Sequence, residues 1–200
     1  MNLIKKTALA GLILATLSST AWAEECITPQ VAGYDYVECL TEGLAVVEKN
    51  DKYGYIDKKG KVVIPLQFDR AWDFSDGLAT VVKNDKYGYI NKTGKVVIPL
   101  QFDRVWDFSE GLAVVEKNNQ YGFIDKTGKV VIPLQFDQVW DFSEGLAVVE
   151  KNNQYGFIDK TGKVVIPLQF DQVWDFSEGL AVVEKYGENF YINKQGKRVN

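Results

Sequence analysis

The acidic side chains come closest, among the residues of this sequence, to the spacing of a catalytic site. Two aspartates, four residues apart, flank a tryptophan in each of four similar segments. The pairs are Asp69 and Asp73, Asp103 and Asp107, Asp137 and Asp141, and Asp171 and Asp175. A glycosidase needs two carboxylates with unequal pKa values, but copies in near-identical settings give no reason for such a difference. The sequence also contains no histidine, which removes the commonest general base. We therefore expect no enzymatic activity, and we expect these aspartates to order turns through side-chain hydrogen bonds.

Calcium ligation by the same aspartates stays open as an alternative. Calcium takes six or more oxygen ligands, and the sequence has no D-x-D-x-D-G loop to supply them. Zinc sites of the Cys/His type lack their histidines, and glycine-rich phosphate loops of the Walker or Rossmann type are absent. The prediction is a protein without a metal ion and without a cofactor.

Aromatic residues recur once per segment and are the candidate ligand contacts. They are Tyr53, Tyr87, Tyr121 and Tyr155, together with Trp72, Trp106, Trp140 and Trp174. One possible role is a sugar-stacking or peptide-docking pocket in every segment. The other is structural, because large rings that share a strand face with phenylalanines usually form core between repeats. The tyrosines follow a polar turn directly, so we expect them nearer the surface than the tryptophans.

These residues recur with a period of 34, and residues 111–144 and 145–178 are identical at every position. Within one unit, "LAVVEK", "YGYIDK" and "KVVIP" are typical of three strands, and "QFDRAWDFS" permits a short fourth. Pro65 either ends the third strand or lies on its free edge. No segment has helical periodicity, so the fold class is all-β. A fixed period of this length indicates a solenoid, a propeller or a related array.

The two ends of the array complement each other. Residues 31–43 align with residues 65–77, which is the part of the unit that the last repeat lacks. Such a chain can complete one unit by pairing its termini, as propellers do. Both strand faces are apolar, so successive units are expected to stack. We predict five 34-residue repeats in a closed propeller-like ring completed by the termini; an open β-hairpin solenoid with polar end caps is the alternative.

The first 23 residues have the features of a secretory signal peptide. Two lysines precede an apolar stretch too short to span a bilayer, and cleavage is expected near Ala23-Glu24. The two cysteines, Cys26 and Cys39, are expected to form a structural disulfide in the periplasm or outside the cell. A redox pair is the alternative, although the spacing is not C-x-x-C. The predicted domains are a signal peptide (1–23), an N-terminal segment with the disulfide and a partial repeat (24–42), and the repeat array (43–200).

The formal net charge of −4 bears on the choice of partner. Nucleic acids and anionic membrane surfaces select basic patches, so we expect neither as a partner. No stretch beyond the signal peptide approaches the roughly 18 apolar residues of a membrane-spanning helix. We therefore expect no membrane insertion.

At "YGYIDKKGKVVIP" and "FDRAWDFSDGLA" the chain resembles the WG-repeat family of bacterial proteins, also called KWG repeats. The resemblance covers residues 31–200, with Tyr-Gly in place of the Trp-Gly pair. It implies β-structured, non-catalytic modules that serve as interaction platforms. The expected function is an exported binding or scaffold module that contacts a protein partner through repeated surfaces; carbohydrate or cell-wall glycan binding is the alternative. Hairpin tips such as residues 50–52 are a further candidate surface.

Overall fold

The fold is a succession of antiparallel sheets. The computed structural model describes residues 26–199, and the predicted signal peptide lies outside them. Within this described range, twenty strands form five sheets of four strands each, and every sheet is built from consecutive strands. These sheets confirm the all-β class and the five repeats. No helix within these residues has the length and apolar character needed to cross a membrane.

The strand boundaries follow the repeat. The first sheet contains β1 (Tyr36–Val37), β2 (Leu44–Lys49), β3 (Lys52–Asp57) and β4 (Val62–Phe68). The second contains β5 (Arg70–Ala71), β6 (Leu78–Lys83), β7 (Lys86–Asn91) and β8 (Val96–Phe102). The third contains β9 (Arg104–Val105), β10 (Leu112–Lys117), β11 (Gln120–Asp125) and β12 (Val130–Phe136). The fourth contains β13 (Gln138–Val139), β14 (Leu146–Lys151), β15 (Gln154–Asp159) and β16 (Val164–Phe170). The fifth contains β17 (Gln172–Val173), β18 (Leu180–Lys185), β19 (Glu188–Asn193) and β20 (Arg198–Val199).

Each sheet contains a tight hairpin between its second and third strands. In the first sheet, six residue pairs join β2 to β3. The two turn residues, Asn50 and Asp51, have φ values of 51° and 56°. Asn and Asp tolerate positive φ better than other non-glycine residues. The polar segment after "LAVVEK" is therefore a two-residue turn of the kind that suits the twist of a hairpin.

The chain passes from one sheet to the next through a single residue. β4 ends at Phe68, and β5 begins at Arg70. The residue between them, Asp69, accepts the main-chain N–H of Asn84 through its Oδ2 at 2.7 Å, which ties the crossing point to the hairpin turn of the second sheet. The same bond joins Asp35 to Asn50, Asp103 to Asn118, Asp137 to Asn152 and Asp171 to Tyr186. The turn-ordering role is confirmed for the first aspartate of each predicted pair.

Neighbouring sheets pack face to face, and the core lies between them. Leu44, Val46 and Tyr55 of the first sheet lie in one buried cluster with Ala79 and Val81 of the second. Equivalent clusters join the second sheet to the third, the third to the fourth and the fourth to the fifth. Because both faces of an inner sheet are covered, its strands can carry apolar residues at consecutive positions.

The outer face of the first sheet is covered by the N-terminal segment. Val47 and Ile56 are fully buried, and Val31 packs against them together with other apolar residues of this segment. Cys26 and Cys39 form a disulfide that closes the segment into a loop. The predicted disulfide is therefore confirmed, and it holds a cap on the first sheet.

In the described part of the chain, the two termini do not pair with each other. β1 pairs with β2 in the first sheet, and β20 pairs with β19 in the fifth. The predicted closure needed one sheet assembled from both ends. The sheet boundary instead falls at crossing residues such as Asp69, so every sheet is complete from consecutive residues. The face of the fifth sheet that points away from the fourth is exposed to solvent. Tyr191 on this face is 54% exposed, whereas its counterpart in the fourth sheet, Phe157, is 1% exposed.

Candidate functional site

The tryptophans lie at the surface, directly after the short first strand of a sheet. The main-chain N–H of Trp106 donates to the carbonyl oxygen of Val114 at 3.0 Å, so the backbone at this point is fixed by the neighbouring strand. The four side chains, of Trp72, Trp106, Trp140 and Trp174, are between 38% and 49% exposed. The structural interpretation of these rings as core between repeats is therefore wrong.

The tyrosines of the Tyr-Gly pairs are half-buried beside the tryptophans. The ring centroids of Trp72 and Tyr87 are 6.0 Å apart. The same pairing joins Trp106 to Tyr121 and Trp140 to Tyr155, each at 5.9 Å. Tyr53 has no such partner because Glu38 occupies the tryptophan position of the first sheet. The structure thus brings the predicted aromatic residues together in three of the five sheets.

A buried tyrosine of the preceding sheet holds the backbone of each of the first two tryptophans. The hydroxyl of Tyr55 donates to the carbonyl oxygen of Trp72 at 2.7 Å, and that of Tyr89 donates to the carbonyl oxygen of Trp106 at 2.6 Å. Burial raises the pKa of Tyr89 far above its ordinary value, so the phenol stays protonated and can donate. In the third sheet Phe123 takes this position and packs on Phe142, with the ring centroids 5.0 Å apart. In the fourth sheet Phe157 takes it and packs on Phe176 at 4.9 Å.

A groove lies between the first two tryptophans. We call it groove 1; its volume is about 340 Å³, and it is lined by Trp72, Thr80, Tyr87, Arg104, Val105, Trp106 and Asp107. Three aromatic rings and one carboxylate therefore converge on a space large enough for a side chain or a sugar ring. The surface is mainly apolar with a few polar groups, as is common in ligand sites.

The next repeat presents a similar groove. Groove 2 has a volume of about 350 Å³ and is lined by Arg104, Trp106, Val114, Tyr121, Gln138, Val139, Trp140 and Asp141. Trp106 and Arg104 line both grooves, so the two grooves are contiguous along the array. In groove 2, Val114 takes the position of Thr80 and Gln138 takes the position of Arg104, and Arg104 is an additional lining residue.

The second aspartates of two predicted pairs, Asp107 and Asp141, line grooves 1 and 2. The surrounding protein removes part of the water around Asp141 and so raises its pKa, and the negative charges of Asp175 and Asp107 raise it further. Partial burial raises the pKa of Asp73 in the same way, with Glu38 as the like-charged neighbour. Asp73 and Asp107 line one small cavity together. The carboxylates of successive sheets therefore form a row beside the grooves.

The two aspartates of a predicted pair do not share a site. Asp69 is bound by Lys52 and by the main-chain N–H of Asn84, and these hydrogen bonds hold its pKa below the ordinary range. The pKa of Asp73 is raised, so the environments differ, contrary to the expectation of near-equal settings. However, Asp69 and Asp73 line different depressions of the surface. The pair therefore lacks the shared cleft that a glycosidase mechanism needs.

The hairpin tips form a separate, polar depression. It is lined by Asp51, Lys52, Asp69, Arg70, Val82, Asp85, Tyr87 and Asp103. Two of its carboxylates form ion pairs with lysines, Asp69 with Lys52 and Asp103 with Lys86. Within residues 26–199, no three Asp, Glu, Cys or His side chains are placed to hold a metal ion. Calcium ligation therefore gains no support from the described residues.

Comparison with known proteins identifies the repeat. The model of the WG containing repeat matches residues 32–53, 53–87, 87–121, 121–155 and 155–188. The chain belongs to the WG-repeat family. No curated protein is similar enough to count as a match.

Several solved structures share features of the chain's fold at low identity. Hsv2 of Kluyveromyces lactis is 11% identical, with 80% of this chain and 60% of Hsv2 covered and a TM-score of 0.46. A eukaryotic initiation factor is 12% identical, with 89% of this chain and 56% of the factor covered and a TM-score of 0.45. A protein of unknown function from Bacteroides caccae is 14% identical, with 82% and 81% covered and a TM-score of 0.30. The chain spans less than two thirds of the first two proteins, and at these values the likenesses carry no functional argument.

Some residues of the site were not found by sequence reasoning. Arg104 and Thr80 line groove 1, yet neither stands out in the sequence as a functional residue. The only available signal was their departure from the repeat, since Arg104 aligns with Gln138 and Thr80 aligns with Val114. In an otherwise near-identical array, positions that differ between copies and lie beside an exposed tryptophan mark where the copies can differ in binding.

Proposed function

We propose that this WG-repeat protein is a non-enzymatic binding module that holds a protein partner along its row of aromatic grooves. The observation that carries the proposal is the exposure of one tryptophan in each of the last four sheets, between 38% and 49% of each side chain, with a tyrosine beside it in three of those sheets. Tryptophan and tyrosine are the residues most enriched in the energetically dominant parts of protein interfaces.

Repetition of the grooves supports a multivalent mode of binding. Grooves 1 and 2 share Trp106 and have nearly the same lining. A partner that occupies one groove has its next segment at high effective concentration near the following groove, so weak contacts combine into tight binding. On this proposal, identical copies of a repeat are useful because each presents the same surface.

The proposed place of action is the periplasm or the space outside the cell, after removal of residues 1–23. The Cys26–Cys39 disulfide supports this placement, because disulfides persist in oxidising compartments and are rare in the cytosol. The cap that the disulfide holds on the first sheet would be weakened in a reducing compartment.

The test is a pull-down from cell-envelope extract with the mature, oxidised protein immobilised through its C-terminus. The wild type is compared with a Trp106→Ala/Trp140→Ala variant and with Val130→Ala, which shortens another exposed apolar side chain outside both grooves. A protein captured by the wild type and by Val130→Ala, but lost with the double tryptophan variant, supports the proposal. A protein captured equally by all three refutes it.

Glycan binding is the second candidate, and the exposed indole rings favour it because sugars stack on aromatic faces. It predicts that cell-wall glycan fragments change the fluorescence of the wild type, and that the change is smaller in the Trp106→Ala/Trp140→Ala variant. A glycan panel that leaves the fluorescence unchanged disposes of this candidate.

A further inference from the structure

The carboxylates beside the grooves differ from two other sets of acidic residues in the repeat, which form ion pairs with lysines. Lysines of the following sheet pair with the acid before the second strand: Lys92 with Glu42, Lys126 with Asp76, Lys160 with Glu110 and Lys194 with Glu144. The crossing aspartates also bind lysines in the first two crossings. Among the described ion pairs, none involves the carboxylates beside the grooves, which are Asp73, Asp107, Asp141 and Asp175.

We propose that the grooves recognise the cationic side chains of a basic, extended segment of a partner protein. In each groove, one lysine or arginine side chain would lie between successive tryptophans, over the ring faces, with its charge toward Asp107 in groove 1 and Asp141 in groove 2. This inference rests on the proposed function and names the chemistry of the partner.

The aromatic lining fits a cation. The face of an aromatic ring carries negative potential, and tryptophan attracts a cation more strongly than tyrosine or phenylalanine does. Groove 1 presents Trp72, Tyr87 and Trp106 around one space, with Asp107 at its side. Three rings and a carboxylate are the elements of an aromatic cage, the arrangement by which proteins bind substituted ammonium groups.

The carboxylates favour a charged ligand over a neutral one. Partial burial and the neighbouring charges of Asp175 and Asp107 raise the pKa of Asp141, which means that its ionised form lacks stabilisation in the free protein. A neutral ligand that covered this group would remove more of its water and return no charge. A lysine or arginine side chain would supply the missing counter-charge.

The positive charge of Arg104 opposes the binding of a cation in both grooves, and the next repeat shows that a neutral residue can take its position. Its Nε lies 3.7 Å from Oε2 of Glu116, the residue opposite it in the strand pair. In the next sheet the same pair is Gln138 opposite Glu150, so the chain tolerates a neutral residue here. Replacing Arg104 with glutamine should therefore make grooves 1 and 2 more attractive to a cation.

The experiment titrates the mature, oxidised chain with three probes: an oligolysine peptide, an oligoglutamate peptide of equal length and the neutral oligosaccharide chitohexaose. Binding is followed by tryptophan fluorescence and calorimetry at low and high salt. We expect the lysine peptide alone to bind, with an affinity that falls as salt rises. Asp141→Asn should weaken it by about tenfold, and Arg104→Gln should strengthen it.

Asp76→Asn is the matched control, because it removes the same charge from an exposed residue that lies outside both grooves. It should leave the affinity for the lysine peptide within about twofold of the wild type. Thermal unfolding of each variant shows whether an affinity change reflects loss of fold.

Equal binding of the glutamate peptide or of chitohexaose overturns the inference, and so does an unchanged affinity in folded Asp141→Asn. If no lysine peptide binds while the pull-down partner still depends on Trp106 and Trp140, the proposed function stands and the cationic chemistry is wrong. If the lysine peptide binds and the pull-down gives no tryptophan-dependent partner, the grooves recognise cations but the proposal of a protein partner in the envelope fails.

Discussion

The glycine of the Tyr-Gly pair is where we expect a single methyl group to be most damaging. Gly122 lies in β11 at a register shift between β11 and β12. A Cβ atom added there would lie 2.5 Å from the carbonyl oxygen of Ile132 and 2.8 Å from the main-chain nitrogen of Leu134. Both atoms belong to the backbone of β12, so no side-chain rotation can relieve the contact. The two strands would have to separate.

The expected cost follows from that geometry. Overpacking in a tight core costs about 1–3 kcal/mol, and a clash with backbone belongs at the upper end. We expect Gly122→Ala to lower the free energy of unfolding by about 3 kcal/mol and the Tm by about 6–12 °C for a chain of this size. Thermal and urea unfolding, followed by tryptophan fluorescence and circular dichroism, measure both quantities.

Gly145→Ala is the matched control. Gly145 has a φ of +85°, and a Cβ there would meet nothing within 4 Å. The substitution therefore incurs only the conformational cost of a positive φ, about 1 kcal/mol. The chain itself provides a second comparison. In the fifth sheet Phe190 takes the position that Gly156 has in the fourth, and there the fourth strand, β20, comprises only Arg198–Val199. A side chain at this position therefore occurs where the adjacent strand is short. Equal losses of stability in Gly122→Ala and Gly145→Ala would refute the reasoning.

Three further predictions follow from the contacts. Replacing Cys26 and Cys39 with serine should lower the free energy of unfolding by about 3 kcal/mol, measured by urea unfolding beside the wild type in reductant, which should lose the same amount. A hydrogen bond from the side chain of Thr127 holds the pKa of Asp125 below its ordinary range. The stabilisation that the ionised carboxylate provides is therefore present at neutral pH and is lost as the pH falls through that lowered pKa. Asp125→Asn should keep the thermal stability at pH 7, because Asn91 makes the same bonds, and should reduce the loss on acidification; a drop at pH 7 contradicts this. Tyr89→Phe removes a hydrogen bond to a tryptophan carbonyl and should cost about 1 kcal/mol by the same unfolding assay, whereas no loss would mean that the bond contributes nothing.

Local features of the chain were predictable from the sequence. "LAVVEK" is β2 to the residue, and the polar turn after it forms the predicted hairpin. Pro65 lies within β4 rather than at its end. It is tolerated there because β4 is an edge strand of its sheet, which is the second of the two positions expected for it. These features depend on neighbours close in sequence, so periodicity and turn chemistry were sufficient.

The assignment of strands to sheets could not be read from the repeat. The sequence suggested a repeat array that begins at residue 43, but the sheets change at Asp69 and its equivalents. The short strand β5 therefore belongs with β6 in the following sheet. This grouping makes each sheet from consecutive strands, so no sheet needs the paired termini.

The exposure of the tryptophans depends on packing in the same way. Trp72 and Phe74 are two residues apart on one extended segment, and alternation places both on one strand face. The segment leaves the strand after Ala71, so that alternation no longer applies: Phe74 is buried and Trp72 is exposed. Sequence spacing identified the residues of the site, and only the geometry between sheets showed which of them reach solvent.

The affinity of the captured partner for a series of tryptophan variants tests the multivalent binding most directly. Calorimetric titration of wild type, Trp106→Ala, Trp174→Ala and the Trp106→Ala/Trp140→Ala variant would give the contribution of each repeat. Each single substitution should weaken binding by about tenfold, and the double variant should weaken it further. If one tryptophan abolishes binding while the others change nothing, the partner uses a single site. Unchanged affinity throughout would mean that the grooves are not the binding surface.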